Sequence, residues 1–233
     1  MAEPPLPEDV TARDLHPAAR NELKTLSKEN AESVARHLAM ASRLIEDDPT
    51  AAHAHAQAAV RRAGRVAVVR ETAAITAYAL GDYALALREL RTYRRISGRD
   101  DQIALIVDSE RGVGRPERAL EEGRAVDRAT LPVPARVQLA IALSGARLDL
   151  GQPDRALREL DIPELDPDNA YEWSADLFAA RATVLEELGR DEEAAEWAQR
   201  AAVAAEVWDV ARGGDEEILV FEEELPDSDE STD

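Results

Sequence analysis

Four glycines in register constrain this chain more than any other feature. Gly81, Gly114, Gly151 and Gly189 each follow an apolar residue (Leu80, Val113, Leu150 and Leu188), and each is followed five residues later by alanine: Ala86, Ala119, Ala156 and Ala194. The spacings between successive glycines are 33, 37 and 38 residues. Glycine lets a chain reverse sharply, and alanine lets two helices approach closely. A period of this length, with two helices per unit, marks a helical solenoid. The expected fold is therefore all-α, an α-solenoid of antiparallel helix pairs. An irregular helical bundle that happens to contain four glycine turns is the competing expectation.

Apolar spacing and turn residues place the helices around those glycines. A disordered lead over 1–12 precedes a helical-repeat domain over 13–212, and 213–233 form a disordered acidic tail. Pro17 opens a helix to about residue 26, and Ser27 caps one that runs to about 46. Thr50 is expected to cap an Ala-rich helix ending at Gly64. The repeats then read as helix pairs 66–80 with 83–96, 101–111 with 116–128, 135–149 with a short partner ending near 160, and 170–187 with 191–211. The linker 161–168 accounts for the wider last spacing.

Composition narrows the function classes. With no cysteine among 233 residues, disulfides, thiolate metal sites and cysteine nucleophiles are excluded. Only Lys24 and Lys28 of the 28 basic residues are lysine, the usage expected of a GC-rich bacterial genome. The acidic, Pro-rich start does not read as a secretory signal, and no run approaches the ~18 apolar residues that span a bilayer. A cytoplasmic protein with no membrane partner is expected. A net charge of −20 disfavours nonspecific contact with nucleic acid or anionic lipid.

From about residue 67 to 208 the hairpins resemble the tetratricopeptide repeat family. Its interhelical alanine falls on Ala86, Ala119, Ala156 and Ala194, and the residue four later on Leu90, Gly123, Leu160 and Ala198. Its small first-helix position falls on Ala74, Val107, Ser144 and Ala182, whereas its first-helix Trp position carries Arg70, Ile103, Ala140 and Phe178. The second-helix half matches well, and the first-helix half is degenerate. The resemblance implies a right-handed stack whose first helices line a concave groove for peptides. By the family's contact positions that groove comprises Val68, Glu71, Ile75 and Tyr78, then Asp101, Ala104, Asp108 and Arg111. It continues with Gln138, Ile141, Gly145 and Leu148, then Asp176, Ala179, Thr183 and Glu186. Arg111 alone suits a carboxylate clamp, so that ligand is not expected.

Catalytic signatures are lacking. His53 and His55 lie two apart, roughly 200° around a helix, and are read with His16 and His37 as surface residues rather than metal ligands. Gly112-Val113-Gly114 lacks the further glycine and preceding strand of a phosphate loop and coincides with a repeat turn. No catalytic residue, metal or cofactor is expected.

Two other surfaces stand out. Nine arginines between Arg61 and Arg99 face only Glu71, Asp82 and Glu89. Arg88, Arg91 and Arg95, opposite the stripe Ala86, Leu90 and Tyr93, make a candidate anion patch with Arg61, Arg62 and Arg65, which end the helix before. The tail holds ten acidic residues after Gly214 and no basic one, and it encloses Ile218, Leu219, Val220 and Phe221, a candidate docking motif. The sequence thus reads as a non-catalytic adaptor for a protein or peptide partner, modulated by its tail. An RNA- or ribosome-associated factor using the arginine face is one alternative, and a regulatory portion of an enzyme assembly is another.

Overall fold

The structure is a computed structural model describing residues 3–213. Eleven α-helices and no β-strand occur among them. In order these are α1 (Pro17–Glu22), α2 (Lys28–Leu44), α3 (Pro49–Ala63), α4 (Ala67–Ala79), α5 (Tyr83–Ser97) and α6 (Ile103–Gly112). They continue with α7 (Pro116–Arg124), α8 (Val133–Asp149), α9 (Pro153–Glu159), α10 (Ser174–Glu187) and α11 (Asp191–Gly213).

The four registered glycines end α4, α6, α8 and α10 with one repeated turn. Each takes a left-handed φ, between 64° at Gly151 and 76° at Gly114. At the first turn the Gly81 amide donates to the Tyr78 carbonyl at 2.8 Å and the Asp82 amide to Ala77 at 3.0 Å. The other three turns repeat this pair of bonds at 2.8–2.9 Å. These are Schellman closures, which satisfy carbonyls that a helix end would otherwise leave open. A Cβ at Gly81 would meet no atom within 4 Å. The glycine is needed there for its backbone angle, not for space.

The next helix starts at once. Asp82 accepts from the Leu85 amide at 3.0 Å, and Pro116 and Pro153 occupy first-turn positions where a missing N–H costs nothing. Helices then pack in chain order: α2 on α3, α4 on α5, α6 on α7, α8 on α9 and α10 on α11, with each pair touching the next. The interior is accordingly a row of apolar clusters. One gathers the lead, α2, α3 and the start of α4 around Val34 and Leu38. A second joins the end of α4 to α5–α8 around Leu90, Val107 and Leu143. A third joins α8–α10 around Val137, Leu160 and Leu177. Helices α4 and α8 each serve two clusters.

Several sequence expectations need correction. Residues 3–12, expected to be disordered, lie against α2 and α3. Val10 is buried, Arg36 donates to the carbonyls of Val10 and Pro7, both at 2.7 Å, and Arg62 grips Glu3 at 2.8 Å. The lead contributes backbone acceptors, which its polar, Pro-rich sequence does not advertise. Asp48, not Thr50, caps α3, accepting from the Ala51 amide at 2.9 Å. Helix α7 stops at Arg124 rather than near 128, because Val126 and Leu131 turn inward to the second cluster.

The histidines also differ from expectation. His37 and His55 are buried, with their Nδ1 atoms 3.0 Å apart, and His53 Nδ1 lies 2.9 Å from the Thr76 hydroxyl. A separate cluster of fully buried alanines, Ala41, Ala56 and Ala73, joins the same three helices, and their small size lets α2, α3 and α4 come close together. Only His16 is exposed, capping α1. The tail motif Ile218–Phe221 lies outside the described residues.

Candidate binding groove

Helices α6 and α8 pack directly, and side chains of α4 reach across to α6. Between these first helices of successive pairs opens a pocket of about 570 Å³. Its floor is apolar: Ala104 and Leu105 from α6, Ala135, Ile141 and Ala142 from α8, and Pro132 and Pro134 from the segment that turns into α8. Its rim is polar, made by Tyr78, Asp101, Gln102, Asp108, Arg111 and Gln138.

The rim is held by a connected network. Tyr78 donates to Asp108. Arg111 donates to Asp108 at 2.5 Å and to Asp149 at 2.7 Å, crossing from α6 to the end of α8. Its guanidinium lies over Gly145, where a Cβ would come within 2.3 Å of Nη1. The absent side chain at Gly145 therefore gives Arg111 its path. Burial opposes charge on Arg111, but Asp149 and Asp108 outweigh it and raise its pKa above the ordinary value. Burial, followed by the hydrogen bond to Asp108, likewise lifts the Tyr78 phenol. Gln102 donates to Glu71 on α4 at 2.7 Å. Burial is the largest cause of that carboxyl's raised pKa, and the glutamine bond pulls the other way. Gln138 donates to Asp176 on α10 at 3.3 Å.

The groove residues counted from the repeat register divide. Tyr78, Asp101, Ala104, Asp108, Arg111, Gln138 and Ile141 share the pocket. Glu71 stands behind Gln102, and Gly145 under Arg111. Val68 is buried against the first cluster, Ile75 is half-buried on α4, and Leu148 packs into the third cluster. Asp176, Ala179, Thr183 and Glu186 are exposed on α10. Register missed Gln102, Leu105, Ala135, Ala142 and the prolines; Pro132 precedes α8 and Pro134 lies in its first turn, where the helix-pair period fixes no contact position.

The arginine patch has a different character. Arg62 is taken by Glu3, Arg88 by Glu89 at 3.0 Å, and Arg91 by Glu110 at 2.5 Å. Glu89 and Glu110 are buried, and each has a second cation, Arg70 at 2.5 Å and Arg115 at 2.8 Å. The Arg115 contact is an ion pair without an aligned hydrogen bond. Arg61, Arg65 and Arg95 are exposed and have no carboxylate within ion-pair distance among the described residues. Sequence held a signal for the buried acids: Glu89 lies three residues after Ala86 and four before Tyr93, on the apolar stripe itself.

At the far end, Trp197 on α11 meets the Phe178 ring edge-on at 5.3 Å, with Arg181 and Arg200 over its own ring. Among the described residues no group of three or more metal-ligating side chains is gathered, and no helix is long and apolar enough to cross a membrane. No protein-family model matches the chain, and a search of curated proteins found no significant match. The likeness to tetratricopeptide repeats rests on the turn glycines and interhelical alanines themselves.

Proposed function

We propose that the helix pairs stack as an α-solenoid of the tetratricopeptide kind and that the protein is a non-catalytic cytoplasmic adaptor. It holds an extended segment of a protein partner between α4, α6 and α8. The observation that carries this reading is the open pocket of about 570 Å³, apolar in its floor and polar at its rim. That size and lining are typical of sites that enclose a few side chains. The rim network of Tyr78, Asp108, Arg111 and Asp149 is bonded within itself. Such a network favours a fixed shape over proton transfer, and a preorganised surface spares the partner part of the ordering cost.

A random-peptide display selection tests this reading. Enriched peptides should bind the full chain and lose binding to Ala104→Trp, which fills the pocket floor. Failure to enrich any peptide, or undiminished binding to Ala104→Trp, overturns it. RNA contact through the arginine face is the weaker reading, because Arg62, Arg88 and Arg91 are already engaged by carboxylates.

A further inference from the structure

The acidic groups around the pocket differ in what satisfies them. Asp108 and Asp149 share Arg111. Asp101 has Arg99 at 3.5 Å and the Tyr93 hydroxyl at 2.7 Å. Glu71 and Asp176 have no cation within ion-pair distance among the described residues. Each instead accepts from one neutral amide of the pocket wall, Gln102 for Glu71 and Gln138 for Asp176. Five carboxyl groups thus surround the groove against two guanidiniums, and both guanidiniums are already engaged.

Building on the adaptor reading, we infer that the groove's partner is an extended, cationic segment in which lysine or arginine side chains alternate with aliphatic ones. The aliphatic side chains fill the floor between Leu105 and Ile141. The cations reach Glu71 and Asp176, turning aside the amides of Gln102 and Gln138. An acidic segment or a free C-terminal carboxylate would meet like charge on arrival, which is a strong device for rejecting wrong partners. The raised pKa of Glu71 fits this: burial outweighs the more distant charge of Arg99, so a cation arriving at the carboxyl gains most.

The probes are three dye-labelled peptides with acetylated and amidated ends, in which leucine alternates with lysine, glutamine or glutamate. Fluorescence anisotropy with the full chain at physiological salt should rank lysine over glutamine by roughly tenfold, the ratio given by about 1.4 kcal/mol, with glutamate weaker still. Glu71→Gln with Asp176→Asn should remove the lysine advantage, so that the lysine and glutamine peptides bind alike. Glu117→Gln with Glu187→Gln, which removes the same charge elsewhere, should leave the ranking intact. Gln138→Arg, at an exposed position, should weaken the lysine peptide by supplying Asp176 with an internal cation.

Equal binding of the lysine and glutamine peptides overturns the inference and leaves the adaptor reading standing. Equal losses in the two double variants also overturn it, because the attraction would then be that of the whole acidic chain. If none of the three peptides binds while display-selected peptides do, only the inference fails. If those fail as well, the adaptor reading falls with it.

Discussion

The α2–α4 interface and the α4–α8 region close the same helix-pair geometry with different chemistry. The first is largely apolar and neutral. Ala52, Ala56, Ala59, Ala73 and Ala77 are buried there, and the polar interior is limited to the His37–His55 pair and His53 on Thr76. The second carries charge inside, with Glu89 and Glu110 buried under four arginines and Arg111 bridging two aspartates. Small residues let helices close fully. Buried ion pairs join the helices of the second region, and the open pocket lies in that region. Density of charge in a sequence therefore does not locate a binding surface; what matters is which charges the fold leaves short of a partner.

Removing one buried acid should break the comparison most sharply. Glu89→Ala strands Arg70, whose side chain is only 23% exposed, and should cost about 3 kcal/mol, the low end for a broken buried pair because Arg88 reaches solvent. Urea titration at unchanged m-value would register it. An alanine-level effect below about 1 kcal/mol would mean that the charged region is no more dependent on its ions than the neutral one.

Acid should act next, and on the other region. Burial holds both rings neutral and lowers their pKa values, that of His37 from 6.5 to about 4. The unfolded chain therefore binds more protons as pH falls below 6.5, and stability drops through that window towards pH 4. By pH 5 the loss at one ring should be about 2 kcal/mol. His37→Leu with His55→Leu should flatten the stability profile between pH 6.5 and 5. A slope equal to that of the unmodified chain would refute a neutral pair.

Gly145→Ala should have the smallest effect on stability, about 1 kcal/mol or less, since helix propensity gained by alanine offsets lost contacts. It should nonetheless displace Arg111 from Asp149 and weaken binding of display-selected peptides. Retained affinity would show that the network does not shape the groove.

These regions were unequally legible in the sequence. The turns were readable because their cause is local: a left-handed residue flanked by helix-forming segments is spelled out within a few positions, as at Gly81. The pocket was partly readable because register fixes which first-helix residues share a side, and Tyr78, Asp108, Arg111 and Ile141 follow from counting. Burial of His37 and His55 was not, since it depends on two positions eighteen residues apart facing each other between α2 and α3. Nor was the engagement of Arg91, because Glu110 belongs to the following helix pair. The lead was misjudged for a related reason: Arg36 binds its backbone, and backbone acceptors leave no trace in side-chain composition.

Neighbour-on-neighbour packing has a consequence for how the molecule assembles. Contacts here join segments close in the sequence, so little loop entropy has to be spent before the first helix pair gains support. On the proposed solenoid, folding starts from any well-packed pair and grows outward, each new pair docking on a finished edge. The last helix among the described residues, α11, has an exposed apolar side at Val203, Val207 and Val210, and should lock late and fray early.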